Sequence, residues 1–597
     1  MKPDGDSLEP LRKAARLCVL KFGGSVLTNL SAYAEAAAET YRHIRSGEKT
    51  IVIVSALHGE TDGLYDEAEK VGAGCSPEAR ARLVRLGEFR SAALMGLALE
   101  RIGVRAAVVD PHEIGLYAEG DPLDADLCGL DVNRLAEKVE QADAVIVPGF
   151  TASHAEAGAA VLGRGGTDLT AVVFAAKSGA QRVRLIKDVD GVYTDDPAKN
   201  PNAGRYDRLD YAAALKASNG LIQDKAIRAA EADGVVLEVA AMGAAEATRV
   251  LPGPAVIGAA RGRRRQRVAL LGCGSVGSGV LDHVRQRRDL FAMNPVLVRH
   301  PEMRAGDRRA NFTSQGAEAL AGGPDLLVEM MGGADEPAAL MADALEAGVH
   351  VVTANKAAVA KHFDKLHAAA RRGGARFEYS AAVGGGAPMI ETVRRLQPVG
   401  ISAVEGVMNG TANFILSKLG QGEAFEDALN EAQRLGFAEA DPSADVDGHD
   451  AADKLSILIR EAFGVALPPE RIAKQSLSEI TPEMCASAAE EGKVYKQIAR
   501  ARRVAGGAVD AEISIEPVAL SHPFAGARNE QNRALVTDSQ GRVHAVYGKG
   551  AGRWPTAAAV FADMMDIQRA SACDGAPASV SPRRSSDEPS RPRLQQA

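Results

Sequence analysis

Apolar residues along the chain gather in short runs separated by longer Ala-rich stretches. Between Leu17 and about Ala259 five runs stand out: Cys18–Phe22, Thr50–Leu57, Ala144–Phe150, Arg182–Val189 and Gly234–Ala240. Each fits a strand buried on both faces of a mostly parallel sheet, and the stretches between them have helical composition. A second βαβ pattern begins with Arg267–Val284, which reads as strand, Gly-rich turn and helix; Pro295–Arg299, Asp325–Met330 and His350–Asn355 follow as strands. From about residue 400 the pattern changes to mixed strands and helices, with Ser402–Gly410 extended and Phe425–Phe437 helical. This predicts an α/β chain with a tail over 1–16, a first domain over 17–259, a linker over 260–266 and a second domain over 267–395. A third, α+β domain spans 396–547, residues 548–568 return to the second domain, and 569–597, rich in Ser, Pro and Arg, form a disordered tail.

Composition narrows the function classes. A chain of 597 residues is too long for one ordinary domain. Aromatic residues make up only 4% with a single Trp, which argues against a base-stacking platform, and 70 basic against 78 acidic residues leave a net charge of -8. Arg261–Arg267 is read as a solvated linker, since nothing aromatic or amphipathic accompanies it. Of the six cysteines no two stand at CxxC spacing, which speaks against a zinc site or a disulfide framework. The N-terminus lacks an apolar signal core and no apolar stretch is long enough to span a bilayer. The expectation is a cytoplasmic protein acting on small molecules, without nucleic acid or membrane.

Candidate chemistry in the first half sits in polar turns that follow the apolar runs. Lys21-Phe-Gly-Gly-Ser25 places a lysine beside two glycines, Gly23 and Gly24, whose backbone N–H groups can approach a phosphate. No GxxxxGK[ST] loop occurs. Ser55–Thr61 ends a strand, where open α/β sheets bind ligands. Leu162-Gly-Arg-Gly-Gly-Thr-Asp168 flanks Arg164 with glycines, which suits a clamp on a carboxylate. Lys187–Pro197 is a polar turn with a tyrosine, suited to a nucleotide base and ribose.

These segments, with LGEFRSAAL at 86–94 and VPGF at 147–150, occur in the order found in aspartate kinases of the amino-acid kinase family. The first half resembles them over about residues 17–230. The resemblance implies an αβα sandwich that binds ATP with Mg²⁺ and phosphorylates a carboxylate. By it, Lys21 would stabilise the transferring phosphoryl group and Asp168 would organise that lysine. Ser55 and Thr61 would line the amino-acid and phosphate site, while Glu88 and Arg164 would hold aspartate. Asp188, Tyr193, Asp196 and Lys225 would contact ATP. The chain departs from the family in reading KFGGSVL rather than KFGGTSV, and in Ala198-Lys199 after the Asp-Pro pair.

In the second half Gly272-Cys-Gly-Ser-Val-Gly277 lies between a strand and a helix, the setting in which GxGxxG holds a dinucleotide. Gly272, Gly274, Ser275, Val276 and Gly277 would carry the pyrophosphate at the helix N-terminus. The second strand ends in Arg299 without an adjacent carboxylate, which favours a 2′-phosphate and hence NADP(H) over NAD(H). Thr353 and Lys356 close a further strand. In Gly436–Lys454, Asp450 and Lys454 are four apart and share one face of a helix.

TANK, AAVGGGAP, VMNGTANFIL, GFAEADPSADVDGHDAADKL and GKGAGRWPTAAAV resemble homoserine dehydrogenases, in order, over about residues 266–566. The resemblance implies a Rossmann NAD(P)-binding domain followed by an α+β catalytic and dimerisation domain. It implies that Lys454 gives a proton to the carbonyl oxygen of aspartate semialdehyde and that Lys356 is a second active-site lysine. Glu439 and Asp450 would bind substrate, supported by Asp445, and Gly436, Gly550 and Gly552 would approach the cofactor. A monovalent cation, Na⁺ or K⁺, would lie on backbone carbonyls of Ser380, Val383, Gly385 and Ala387. His449 is read as structural. A homodimer or higher homo-oligomer is implied too. Together the halves resemble a bifunctional aspartokinase–homoserine dehydrogenase lacking the regulatory ACT region, so no ACT-mediated feedback is expected. Two alternatives stay open: a dehydrogenase with a non-catalytic kinase-like module, and an enzyme acting on related amino acids.

Overall fold

The computed structural model describes residues 16–573 apart from 164, 201 and 259–263. The predicted N-terminal tail lies outside the described residues but for Arg16. The chain divides into two compact units, meeting at Gly262 and Arg263.

The first unit is built on a nine-stranded sheet. Its centre is five strands side by side: Leu237–Ala241, Val183–Lys187, Leu17–Phe22, Lys49–Val54 and Ala144–Pro148. All four pairings between them are parallel, so their carboxyl ends line one edge. Near-continuous Val, Ile and Leu make these strands buried on both faces. Tyr206–Leu209, Thr248–Val250 and Val256–Ile257 extend the sheet on one side, Ala106–Val108 on the other. A separate four-stranded sheet, from Tyr117–Glu119, Asp126–Gly129, Thr151–His154 and Ala160–Val161, has no counterpart in the apolar pattern. Strands of two to four residues are too short to show a period.

The second unit holds two sheets. A seven-stranded sheet, parallel in every pairing, centres on Gln266–Leu271 and Leu326–Glu329. A six-stranded, largely antiparallel sheet carries Ile401–Val407 between Lys493–Arg503 and Gln531–Asp538. One apolar core runs through both, from Leu271, Leu327 and Val351 to Leu458, Ala499 and Val536. The helices Lys356–Gly373 and His449–Phe463 pack together within it.

Two boundaries differ from the predicted layout. Gln266, placed in the linker, is already the first residue of a strand. The helix Arg553–Cys573 runs past residue 569, so the predicted disordered tail begins as helix; 574–597 lie outside the described residues. That helix packs on Ser275–Gln286 through a tight seam. A Cβ on Gly279 would come within 2.8 Å of the Ala557 Cβ, His283 stacks on Phe561 with centroids 5.0 Å apart, and Arg553 pairs with Asp282 at 2.7 Å.

Candidate functional site

In the first unit Lys21 and Lys187 stand near the carboxyl ends of neighbouring parallel strands, with Lys21 opposite Leu185. Side chains alternate along a strand, so Lys21, Leu185 and Lys187 point to the same face. That face is covered by the helix Gly166–Ser178, whose first turn bears Asp168. Asp168 bridges both lysines: Lys21 Nζ lies 2.7 Å from Oδ1 and Lys187 Nζ 3.1 Å from Oδ2. All three groups are buried. Burial alone would push the Asp168 carboxyl up, but Lys21 and then Lys187 outweigh it and hold it at about 2. Lys187 moves down, first through burial and then through the nearby Lys21.

The loops around this cluster leave room at the sheet edge. A Cβ on Gly23 would sit 2.8 Å from Lys21 Nζ, so a glycine keeps the end of that lysine clear. Gly163 and Gly165 both take positive φ and turn the chain into the helix. Gly24 approaches the carbonyl of Ala56, and the Ala56 N–H donates to Glu88 Oε1 at 3.3 Å. Glu88 is buried and its Oε2 has no hydrogen-bond partner among the described residues. Burial pushes its carboxyl up to about 8. Ser55 donates its N–H to the Phe22 carbonyl at 3.0 Å, and Thr61 begins the helix Glu60–Gly72 half-buried.

Other residues named for ATP are more dispersed. Asp188 is exposed beside Lys187; Tyr193 Oη donates to Asp190 at 2.7 Å. Asp196 is exposed, accepts from the Ala198 N–H at 2.9 Å and pairs with Lys199 at 3.2 Å. Lys225 pairs with Asp124 at 2.9 Å, both exposed. Arg164 lies outside the described residues.

The second unit repeats the motif of one carboxylate between two lysines. Asp450, in the first turn of the helix His449–Phe463, lies 2.7 Å from Lys454 Nζ and 2.9 Å from Lys356 Nζ. Lys454 also donates to the Met408 carbonyl at 2.7 Å. Asn409 donates to Asp450 at 2.9 Å and to Asp445 at 2.6 Å, and Thr411 Oγ1 donates to Asp445 at 3.0 Å. Burial would raise the Asp450 carboxyl, yet Lys454 and Lys356 draw it well below the usual range. Asp450 in turn raises Lys356. Asp445 is raised by burial, with Asp450 adding to the shift. Glu439 is not part of this cluster: it is exposed, and its backbone carbonyl accepts from Gln433. Gly436 ends a helix at positive φ with open space around it.

The dinucleotide loop has the geometry its glycines demand. Gly272 has φ +95°, and a Cβ there would lie 2.5 Å from the Met330 carbonyl oxygen. Nothing lies within 4 Å of a Cβ on Gly274, so that side of the loop is open to a ligand. Ser275, Val276 and Gly277 form the first turn of the following helix. Arg299 is exposed, two residues beyond the short strand Val296–Leu297, which ends earlier than the apolar run predicted. Arg304 donates to the Cys273 carbonyl and lines a cavity of about 860 Å³ with Arg265, Arg285, Arg288, Arg308 and Arg309. Thr353 donates its hydroxyl to the buried Glu329 at 2.6 Å, a partner the apolar pattern hides inside a strand. Ser380, Val383, Gly385 and Ala387 share one buried loop, in which the Ser380 and Ala387 carbonyls accept from the N–H groups of Val383 and Met389. A Cβ on Gly385 would strike the Gly550 carbonyl oxygen at 2.6 Å, and Gly552 has φ +109°.

Comparison with known proteins assigns both units. A homoserine dehydrogenase from Synechocystis is 37% identical over 321 residues, covering 50% of this chain and 73% of the relative. The chain belongs to the homoserine dehydrogenase family. Residues 388–565 match the family model described as homoserine dehydrogenase, and 272–380 the one described as homoserine dehydrogenase, NAD binding domain. An NAD(+)-dependent homoserine dehydrogenase from Pseudomonas canavaninivorans is 38% identical over 229 residues, 38% of this chain and 64% of the relative. A solved homoserine dehydrogenase from Thiobacillus denitrificans is 35% identical with a TM-score of 0.50, covering 53% of this chain and 75% of that one. Residues 16–240 match the amino acid kinase family. One chain thus joins an amino-acid kinase domain to a homoserine dehydrogenase, the organisation of the bifunctional aspartokinase–homoserine dehydrogenases. Between the matched stretches lie 241–271, and these contain strands of the two flanking sheets at Thr248–Val250, Val256–Ile257 and Gln266–Leu271. A small domain needs about 50 residues, so no ACT region is inserted there.

Proposed function

We propose that the homoserine dehydrogenase unit reduces L-aspartate 4-semialdehyde to L-homoserine, and that the kinase unit phosphorylates L-aspartate to 4-phospho-L-aspartate. The observation that carries the first activity is a buried carboxylate, Asp450, holding Lys356 and Lys454 by ion pairs. When bound, the nicotinamide supplies the hydride. Lys454, fixed between Asp450 and the Met408 carbonyl, gives a proton to the aldehyde oxygen as the carbonyl carbon is reduced. Lys356 keeps positive charge beside the developing alkoxide. Asn409, itself bonded to Asp445, donates to Asp450 and helps hold it in place.

In the kinase unit a β-carboxylate oxygen of aspartate attacks the γ-phosphorus of ATP and ADP leaves, with no proton transferred. Lys21 lies where charge spreads on the transferring group, and catalysis is positioning plus positive charge. Glu88, a buried carboxyl with an oxygen that accepts no hydrogen bond among the described residues, suits the α-ammonium of aspartate, and Arg164 its α-carboxylate.

NADPH is the favoured reductant in this reading. Arg299 follows the strand Val296–Leu297 by two residues, and a cavity whose Arg304 donates to the Cys273 carbonyl of the Gly-rich loop is lined by arginines. The ratio of kcat/KM with NADPH to that with NADH tests it; a ratio below one refutes it. The chain carries no helix, among the described residues, long and apolar enough to cross a membrane, in keeping with a cytoplasmic setting. A homodimer and activation by K⁺ or Na⁺ through the 380–387 loop complete the reading; light scattering and salt-exchange kinetics check them.

The two activities are tested separately. Semialdehyde reduction is measured for the native chain and Lys454→Ala. Aspartyl hydroxamate formation from ATP, Mg²⁺, aspartate and hydroxylamine is measured for the native chain and Arg164→Ala. Reduction without hydroxamate refutes the aspartate kinase activity and leaves the kinase unit as a non-catalytic module or a kinase for another acceptor.

A further inference from the structure

The helices Lys356–Gly373 and His449–Phe463, which carry the dehydrogenase lysines, also wall a cavity of about 470 Å³. That size suits a small molecule. Asp453, Ile457 and Arg460 are spaced by four and three residues, so they present one face of the second helix to it. Lys356, Asp450 and Lys454 do not line it. The first helix departs from helical dihedrals at His362 (φ -117°, ψ 21°), which lines the cavity together with Phe363. Leu467 and Pro468 extend the apolar side.

The charges on the wall are unevenly matched. Arg460 pairs with Asp364, and Lys361 with Asp335 at 2.8 Å. Asp453 and Glu470 make no hydrogen bond or ion pair among the described residues. Asp453 is partly buried. Burial pushes its carboxyl up, and Asp450 and Glu470 add to this against the pull of Lys356. A partly desolvated carboxylate beside other acids is short of a cation, and here that shortage faces an open space with an apolar wall.

We propose that this cavity is an accessory site for a small alkylammonium ion, held by Asp453 and Glu470 at its charged end and by Ile457 and Leu467 along its chain. An ammonium group has three N–H donors, enough for both carboxylates. A bare alkali ion would leave the apolar wall unused. Amines and amino acids both carry such a group, and they differ in a carboxylate for which the exposed Lys365 is the lining partner.

The test is saturation-transfer NMR on the full chain with n-butylammonium and, separately, norleucine, at constant ionic strength. The expected result is saturable binding of n-butylammonium that weakens roughly tenfold or more in Asp453→Asn and in Glu470→Gln. Ala360→Phe, which fills the cavity without changing a charge, is expected to abolish it. Norleucine binding with the same dependence makes the occupant an amino acid, and binding of n-butylammonium alone makes it an amine; both uphold the site. Absence of saturable binding overturns the proposal, as does binding that none of the three variants weakens or that KCl displaces at equal concentration. Binding is expected to persist with saturating homoserine and NADP⁺. Displacement by homoserine would place the cavity inside the catalytic centre and overturn its separateness. A chain that binds n-butylammonium but not homoserine leaves the site standing and refutes the dehydrogenase reading instead.

Discussion

Each unit places one aspartate between two lysines, and the two clusters are tuned in opposite directions. In the kinase unit the lysines come from adjacent strands, the three groups are buried, and Lys187 is lowered. In the dehydrogenase unit one lysine shares a helix with the aspartate, the other stands on a neighbouring helix, and Lys356 is raised. The difference lies in burial and in the surrounding charge. Around Lys356, Asp450 leads, with Asp453 and Asp445 adding, whereas Lys187 is lowered first by burial and then by Lys21, against the pull of Asp168 and Asp188. On the proposed reading, the first arrangement keeps an ammonium charged for a carbonyl substrate and the second sets positive charge at the phosphoryl site. The same three residue types thus sit in different electrostatic surroundings, according to what lies in the next layer.

The sharpest way to break the comparison is to remove the proton donor. Lys454→Ala is expected to lower kcat for semialdehyde reduction by roughly 10²- to 10⁴-fold. Stopped-flow measurement of the hydride step checks this, and a loss under about fivefold shows that Lys454 is not the donor.

Next is the pH response of the kinase cluster. Asp168 is held at about 2 in the folded chain, below the roughly 3.9 of an unfolded aspartate. A depressed carboxyl stabilises the fold above the unfolded value, and that contribution is lost as pH falls from about 4 toward 2. Asp168→Asn should destabilise the unit at neutral pH and flatten this acid limb, as followed by unfolding of the chain against pH. An acid limb of unchanged steepness would detach Asp168 from the stability of the unit.

Glu88 has the opposite sign. Its folded carboxyl, at about 8, lies above the unfolded value near 4.3, so it is largely protonated at pH 7 and its contribution to stability fades as pH rises from about 4 through 8. An incoming α-ammonium should ionise it. Aspartate binding at pH 7 is expected to release up to about one proton, read from the dependence of calorimetric heat on buffer ionisation. The release should vanish in Glu88→Gln; its persistence would exclude Glu88 as the ammonium partner.

The smallest effect is expected at Asn409, whose amide joins Asp445 to Asp450. Asn409→Ala should cost about 1–3 kcal/mol of stability through unmet hydrogen bonds and a modest fraction of kcat. Denaturant titration measures the first, steady-state kinetics the second.

The two centres were unequally legible in the chain. The Asp450–Lys454 contact follows from their spacing on a helix, but Lys356 reaches the same carboxylate from another helix, which no local pattern predicts. Asn409 and Thr411 lay within a recognisable motif, yet their polar contacts depend on how a strand end meets Asp445. Lys187 closes an apolar run and was masked by the acids that follow it. Its signal was the strand alternation shared with Lys21, which becomes informative only once the two strands are known to be neighbours. Glu439 shows the converse: a carboxylate in a dense acidic run stands apart from the Asp450 cluster, with its side chain exposed. The five central strands of the first sheet were visible because burial on both faces writes them as unbroken apolar runs; the two- to four-residue strands of the smaller sheet leave no period to read.

The helix Arg553–Cys573 carries a consequence for synthesis on the ribosome. The first helix of the dinucleotide fold, Ser275–Gln286, leaves Gly279 and His283 without their packing partners until Ala557 and Phe561 have emerged. The kinase unit is contiguous and can close as it leaves the exit tunnel, whereas the dehydrogenase unit must wait for the helix Arg553–Cys573. A nascent chain stalled after about residue 550 would therefore pair a finished kinase fold with an open dehydrogenase core, a sticky intermediate that translation speed and chaperones would have to manage.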